Sequence, residues 1–534
     1  MSVKNSAQNS RLPKGGYQTM DLANHAAAKA LETEKEHERL MVEQGRARAV
    51  ERISRRPSAV YAMQPQVQNL LAEALGKVVA KIEVNMAEAE ATNDSYGMQA
   101  VNAINAVGKE QAAFLGLLEA FFVSVHVREP VSRNKIARTT VEIGRGLEIQ
   151  CFCTDLNEQD PKLWKRLFKK ATAQSTSYLK RFKTIRRYGM KRDFEWEVWP
   201  LAKKARVGGF VFDAVLAGAQ LFELDPEDLE RFRLRDDVRR YLKECDERES
   251  WMYPVVKPML ARPREWGCGN SNPYFDEHLG SYANPVRGIN SYPNEQRSKV
   301  YAQIDSDEPS AWIEALNHIQ NTSFRINKRV LEAVRMAKDK GLSLPSFPRF
   351  SPIDQVEIPP DFDELPPEVR RRIKRQRADV YKRSRENDAD VIKFNLDLES
   401  AEELSQYSSF WLPMSCDWRG RVYPIPAFNY QDRDWVRACF EFSKGLPLGE
   451  QGANWLAIHL ANCGDFGKIS KQRLESRIDW VHEHNERIVR VASDPSSDLW
   501  WTEADKPFQF LAACFDWAGY MEHGDAHVSH LPML

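Results

Sequence analysis

Leu71, Leu75, Val78 and Ile82 recur at three- and four-residue steps, the spacing of one buried helical face, and most of the first 150 residues read as helix. Ahead of them, Asp21 to about Arg56 is dense in Ala, Glu, Lys and Arg, which predicts a charged helix lying on the surface. Ala91 to Gly97 breaks the pattern and predicts a loop, after which Met98 to Val127 resumes as helix. Gly218 to Val238 alternates over short apolar steps around Asp225-Pro226-Glu227-Asp228, a pattern shared by a hairpin with an acidic turn and by two short helices. Trp251 to Pro293, rich in Pro, Gly, Asn and Tyr, predicts an irregular connection and an internal boundary. Ala311 to about Lys340 predicts a helix with Ile313, Leu316, Ile319 and Phe324 on its apolar side, followed by a stiff linker from Pro345 to Pro367.

Length and charge narrow the class. At 534 residues the chain has room for three or four domains or one multi-lobed enzyme, and 42% hydrophobic content excludes general disorder. Its 76 basic side chains balance 76 acidic ones, so any basic surface is local. Two places qualify. Between Lys162 and Arg206 stand 15 Lys or Arg against three acids, Asp193, Glu195 and Glu197. From Arg370 to Arg385 nine Lys or Arg face one acid, Asp379, on an expected exposed helix. Each reads either as a solvated face or as a surface for phosphate.

The eight cysteines form no CxxC pair, which argues against a zinc ribbon or a disulfide framework and favours a reducing, cytoplasmic location; Cys151 and Cys153 read as buried thiols. The longest apolar run, Phe114 to Val125, contains Glu119 and is too short for a membrane helix. Residues 1–20 lack acids and carry Lys4, Arg11 and Lys14, but Gly15-Gly16 favours a disordered tail over a transit peptide. His482-Glu483-His484 and the pair His523 and His527 have no Cys or carboxylate set at zinc-site spacing.

No Walker loop, GxGxxG, GxSxG or HExxH occurs. The sharpest string is Asp417-Trp418-Arg419-Gly420-Arg421-Val422-Tyr423-Pro424. A glycine between two arginines lets the backbone approach a ligand closely, and guanidinium forks bind phosphate oxygens through paired hydrogen bonds. The alternative is a strand end with a surface ion pair.

Asp417 to Arg421 resembles the DxxGR motif of the single-subunit, bacteriophage-type DNA-directed RNA polymerases, which include the mitochondrial enzymes. Further strings are similar to the family's in order and spacing: Pro258-Met259-Leu260 with Pro263 and Trp266, Gln320-Asn321-Thr322 with Arg325-Ile326-Asn327, Lys444-Gly445 with Pro447, His459 with Ala461-Asn462-Cys463, and Asp505 to Ala512. The likeness runs from about residue 250 onward and is loose before it.

The resemblance implies a mainly α fold with a small β component, laid out as a right-handed polymerase. Its parts would be a promoter-binding domain at 21–310, a thumb-like helical region with the basic helix at 311–407, and the start of an incomplete palm at 408–534. It implies nucleotidyl transfer with Mg2+ as cofactor, and as partners double-stranded promoter DNA, an RNA–DNA hybrid and ribonucleoside triphosphates, with no membrane. Arg421, with Arg419, Gly420 and Tyr423 beside it, is expected to contact nucleic-acid backbone; Arg437 stands where the family often has a basic residue facing the same cleft. Lys468 resembles a lysine expected near the triphosphate, although Gly467 stands where the family commonly has Asp.

The same resemblance sets Leu531-Pro532-Met533-Leu534 just before the segment that supplies the first catalytic aspartate. It therefore implies that no catalytic or metal-binding residue lies in this chain, that none of Asp417, Asp432, Asp434 or Asp516 is a substitute, and that a C-terminal polymerase segment or second polypeptide supplies the aspartates. The promoter side departs from the phage pattern, since Lys81 to Lys109 holds no Lys or Arg between its ends, so the Ala91 to Gly97 loop is expected to read DNA poorly. If Gly218 to Val238 is a DNA-opening hairpin, Phe222, Leu224 or Leu229 is its apolar wedge. The competing reading is a non-catalytic nucleic-acid-binding protein derived from such a polymerase.

Overall fold

A computed structural model describes residues 15–124, 135–174, 178–190, 196–280, 283–345, 347–362 and 364–532. Residues 1–14 of the expected tail, Val125 to Val127, Asp193, Glu195, Met533 and Leu534 lie outside the described residues. The fold is mainly α with small antiparallel sheets, as the sequence implies. It divides into two compact units, one of Met1–Gln44 with Pro254–Leu534 and the other of Gly45–Tyr253.

Helix α1 (Gly15–Ser54) contributes its end to the second unit, which continues through α2 (Ser58–Tyr61), α3 (Pro65–Thr92), α4 (Ser95–Val107), α5 (Lys109–Ser124), α6 (Ile136–Gln159), α7 (Pro161–Gln174), α8 (Tyr178–Met190), α9 (Leu201–Gly218), β1 (Phe222–Leu224), β2 (Phe232–Leu234) and α10 (Asp236–Ser250). Val67, Leu71, Ala74, Val78, Ile82, Met86 and Ala89 line the buried face of α3, the expected period. The expected Ala91 to Gly97 loop is smaller than its composition suggested. Asn93 ends α3 in the left-handed conformation, and Asp94 at once caps α4 by accepting from the Tyr96 and Gly97 amides. Met98 onward is likewise two helices, broken at Gly108.

Helices α6 and α9 cross where glycines allow it: a Cβ at Gly144 would stand 2.0 Å from the Lys204 carbonyl oxygen, and one at Gly208 1.8 Å from that of Thr140. Beside this crossing, Glu148 is fully buried, and its carboxylate meets Lys204 Nζ at 3.1 Å, Arg186 Nη2 at 3.4 Å and the Trp199 amide at 2.9 Å. Two cations of the first basic stretch thus serve the interior. A separate small core joins Phe152, Cys153 and Leu156 of α6 to Leu163 and Leu167 of α7 and Phe182 and Ile185 of α8. It turns Lys162, Lys165, Arg166, Lys169, Lys170, Lys183 and Arg187 outward. Cys151 and Cys153 are buried as expected, and burial pushes both thiols up to about 12. Of the two readings of Gly218 to Val238, the hairpin is realised, with Phe222 opposite Leu234 and Leu224 opposite Phe232. Phe222 is buried, whereas Leu224 and Leu229 are exposed.

The first unit adds α11 (Glu277–Gly280), α12 (Asn294–Ile304), α13 (Ala311–Gln320), β3 (Ser323–Ile326), α14 (Lys328–Asp339), α15 (Pro367–Leu404), β4 (Phe410–Trp411), β5 (Met414–Cys416), β6 (Val422–Pro424), α16 (Asp434–Ala438), β7 (Phe440–Phe442), β8 (Leu446–Pro447), α17 (Gly449–Gly464), α18 (Leu474–Glu483), α19 (Asn485–Ser493), α20 (Pro507–His523) and β9 (Val528–Ser529). The single helix expected from Ala311 to Lys340 is corrected here to helix, strand, helix. Phe324 and Ile326 are buried at a two-residue step on β3, and Asn327 then caps α14 by accepting from the Val330 amide. Strand β3 is the centre of an antiparallel sheet ordered β4-β3-β7, where Phe324 pairs with Phe410 and Phe442. Strands β8 and β9 pair separately, and Asp516 of α20 secures β9 by accepting from Ser529 Oγ at 2.5 Å and facing His527 Nε2 at 2.9 Å.

The expectation that α1 lies wholly on the surface is also corrected. Glu34 and Glu38 are fully buried and His37 nearly so. Glu34 Oε2 accepts from the Leu260 and Ala261 amides, and Glu38 accepts from those of Phe275 at 3.0 Å and Asp276 at 2.6 Å. The irregular stretch after Pro254 has few regular partners for its backbone, and these carboxylates provide them. Burial, together with the neighbouring Glu38 charge, pushes the Glu34 carboxyl up to about 9; burial also raises Glu38. Glu34 Oε1 has no other partner among the described residues, and a proton held there and directed at Glu38 satisfies both groups.

Glu34 releases its proton at about 4.5 in an unfolded chain and near 9 in the folded one, so the folded state binds the extra proton between those values. Its contribution is complete below 4.5 and is lost as pH rises toward 9, with a slope of at most about 1.4 kcal/mol per pH unit. Glu34→Gln, which keeps a neutral donor toward Glu38, is expected to flatten that slope in calorimetric melts; an unchanged slope would refute the shared proton. Glu148→Ala is expected to destabilise the Gly45–Tyr253 unit by about 3–5 kcal/mol, because it leaves two cations without their buried partner. A urea midpoint within error of the parent would count against that account.

Candidate nucleic-acid interface

Strands β5 and β6 form a two-stranded hairpin, Met414 opposite Pro424 and Cys416 opposite Val422, whose turn is Asp417 to Arg421. Gly420 has φ +79° with open space around its missing Cβ, so the turn needs its left-handed conformation there. Asp417 organises the rest. Its Oδ1 accepts from the Arg419 amide at 2.8 Å and the Arg421 amide at 3.0 Å, while Oδ2 accepts from Arg421 Nε at 2.7 Å and pairs with Nη2 at 2.6 Å. Against a desolvation that would raise it, these hydrogen bonds from Arg421 and Arg419 hold the Asp417 carboxyl below its ordinary range.

The ion-pair reading of the string is therefore realised, and it leaves the phosphate reading open. Two of the five N–H donors of Arg421 face Asp417, and the side chain is 60% exposed, so donors remain for an outside anion. The Arg419 guanidinium stacks over Trp418 at 4.6 Å, and Trp418 is 69% exposed. Tyr423 is half-buried, with the Arg421 guanidinium 5.7 Å from its ring centre and that of Arg287 at 4.6 Å. Arg287 also donates to the Pro424 carbonyl at 2.6 Å and to Ser415 Oγ at 3.3 Å. The sequence reading passed over Arg287 because it lies in the Trp251 to Pro293 stretch, where the irregular composition offers no period to place a side chain.

Arg437 lies elsewhere in the same unit. On α16 it lines a cavity of about 210 Å3 with Phe324, Tyr430, Phe440, His459 and Gln509, in which none of Arg419, Arg421, Tyr423 and Lys468 takes part. Lys468 is exposed in a tight turn after α17, at φ +62° next to Gly467 at +59°, and makes no ion pair among the described residues. The expected residues thus form one cluster on the hairpin and two separate positions.

The four aspartates set aside on sequence each have a structural partner. Asp417 builds its turn, Asp432 pairs with Lys393, Asp434 accepts from the Phe508 amide at 2.8 Å and Gln509 Nε2 at 3.0 Å, and Asp516 holds His527 and Ser529. His484 stacks on Trp480 at 4.3 Å. Among the described residues no three His, Cys, Asp or Glu side chains converge as a metal site. No helix among them is long and apolar enough to cross a membrane. On α15, Arg371, Arg372, Lys374, Arg375, Lys382, Arg383 and Arg385 are exposed, and of these Lys382 alone has an ion-pair partner among the described residues, Glu386.

Residues 446–534 match the family described as DNA-dependent RNA polymerase. The chain is 28% identical over 399 residues to the DNA-directed RNA polymerase of Enterobacteria phage T3, covering 73% of this chain and 43% of that protein. It is 27% identical over the same length to T7 RNA polymerase of Escherichia phage T7, with the same coverage, and 30% identical over 300 residues to the mitochondrial DNA-directed RNA polymerase 1 of Arabidopsis thaliana, covering 55% of this chain and 29% of that one. The matched part spans less than half the length of these relatives. A match of 399 residues exceeds the 281 from Pro254 to Leu534 (534 − 253), so the kinship reaches into the first 250 residues, beyond the quoted strings.

Asp417→Ala is expected to release the turn, raising the rate of limited tryptic cleavage after Arg419 and Arg421 about tenfold, while Asp417→Asn, which keeps an acceptor for the two amides, changes it less. Equal rates for parent and Asp417→Ala would show that the carboxylate does not order the turn.

Proposed function

The chain belongs by sequence to the single-subunit, phage-type RNA polymerase family, and we propose that it carries the nucleic-acid-binding part of a DNA-directed RNA polymerase. The observation that carries the reading is the exposed turn Trp418-Arg419-Gly420-Arg421, held rigid by Asp417 with guanidinium donors left free. Such a turn contacts the sugar-phosphate backbone of template or product without reading bases. The outward cations of α7, α8 and α15 supply further phosphate contacts. In this reading 21–310 is the promoter-binding domain, with Leu229 at the exposed tip of the β1–β2 hairpin as the wedge into duplex DNA. Residues 311–407 form the thumb, and 408–534 the first part of the palm. Arg437 faces the nucleic-acid cleft and Lys468 approaches the triphosphate.

Nucleotidyl transfer with Mg2+ needs convergent carboxylates, and Asp417, Asp432, Asp434 and Asp516 are each engaged with partners of their own. The 534 residues are accordingly proposed to be inactive alone and to act with a C-terminal polymerase segment or a second polypeptide, in the cytoplasm of the host. The second reading, a non-catalytic nucleic-acid-binding protein, is favoured by the same exposed basic faces.

A template strand annealed to an RNA primer separates the two. The chain with Mg2+ and the four ribonucleoside triphosphates is expected to bind this scaffold without extending the primer, and the downstream third of a phage relative, added in trans, is expected to restore extension. Extension by the chain alone would overturn the proposed inactivity; binding with no extension under any supplement would favour the non-catalytic reading.

A further inference from the structure

We infer that Arg287 is a positioning residue for the arginine turn: it locks both strands of the β5–β6 hairpin and Tyr423, and through them sets the reach of Arg421. The inference rests on the proposed backbone contact of that turn.

Three kinds of contact converge on this residue. Its amide donates to the Cys416 carbonyl at 2.8 Å, beside a parallel bridge from Val286 to Cys416 and a bond from the Cys416 amide to the Pro285 carbonyl at 2.9 Å. The segment around Val286 therefore acts as a third strand on the β5 edge. Its guanidinium then spans the hairpin, with Nε donating to Ser415 Oγ on β5 and Nη2 to the Pro424 carbonyl on β6. Finally, the same plane lies over Tyr423, whose ring also has Arg421 above it. Ser415 Oγ in turn donates to the Tyr423 carbonyl at 3.2 Å, so the bond from Arg287 is continuous with the cross-strand bonding.

A two-stranded ribbon of three-residue strands has little stability of its own, so its tip is placed only as well as its base is held. A planar, five-donor group suits that task where a lysine does not: lysine offers a single point charge, no fork across two strands and a weaker stack on the ring. Arg287 is thus a third arginine serving the DxxGR turn, contributed from outside the motif and some 130 residues earlier in the chain (417 − 287).

The test compares the parent, Arg421→Ala, Arg287→Ala, Arg287→Lys and the double alanine variant, all as the full 534-residue chain. Hydrogen exchange of Met414 to Pro424 is read together with binding of a short RNA–DNA hybrid across a salt series. Arg287→Ala is expected to speed exchange in the turn about tenfold and to weaken binding by about as much as Arg421→Ala. The double variant should be no weaker than either single one, and Arg287→Lys should recover little. A direct phosphate contact would instead make the two losses additive, each removing about one from the salt slope, and would overturn the inference. Unchanged exchange in Arg287→Ala would also overturn it. If exchange rises while Arg421→Ala binds like the parent, Arg287 still positions the turn, and it is the backbone-contact reading that fails.

Discussion

Four backbone amides, those of Leu260, Ala261, Phe275 and Asp276, point at two buried carboxylates on α1, and the order of the first unit depends on that meeting. The segment they belong to carries little helix or strand, so its backbone groups must find partners elsewhere or remain unsatisfied in the interior. Glu34 and Glu38 stand one helical turn apart, which brings both onto one face of α1. Two bare charges at that distance would repel in a low-dielectric setting, and the retained proton removes the conflict. His37 and Met41 on the same helix extend the contact, His37 facing the Pro258 carbonyl at 3.1 Å and Met41 accepting at its carbonyl from the Val255 amide at 3.2 Å. Trp266, deeper in this region, then donates its indole to the Met414 carbonyl at 2.9 Å, joining the irregular segment to the strand that starts the arginine hairpin.

The same use of charge recurs. Glu148, Asp434 and Asp516 each accept from backbone or side-chain donors of a different segment and thereby fix it, Asp417 fixes its own turn in the same way, and the surplus of exposed charge on α7, α8 and α15 is positive. An overall balance of 76 acids against 76 bases conceals this division, because acids such as Glu34, Glu38 and Glu148 face inward as connectors and the outward basic faces remain available to an anionic polymer.

The sequence was most legible where one period dominates. The buried face of α3 and the exposed basic run of α15 follow from helical spacing and local charge, and the DxxGR string carries in itself the Asp417–Arg421 ion pair, though not the hairpin that presents it. It was least legible where an element is short or a partner is remote. The two-residue step of Phe324 and Ile326 is too brief to stand against the helices on either side, and only pairing with β4 and β7 makes it a strand. Glu34 and Glu38 look like any solvated pair on a charged helix, since nothing local announces amides some 230 residues away that require acceptors. Arg287 was invisible for the same reason. The glutamate-rich helix and the irregular segment are each ordinary alone, and their meaning lies in the pairing.

Strand β8 at Leu446 meets β9 at Ser529, so the stretch that resembles the polymerase family is closed by a ladder whose halves lie 83 positions apart (529 − 446). Closing a loop of that length costs entropy before any ladder bond forms, which places the pairing late in folding. During synthesis on the ribosome β8 leaves the tunnel well before its partner exists, and for that interval its exposed Leu446 has an open edge. The edge residue Pro447 and the shortness of the strand keep that waiting period from becoming an invitation to neighbouring chains.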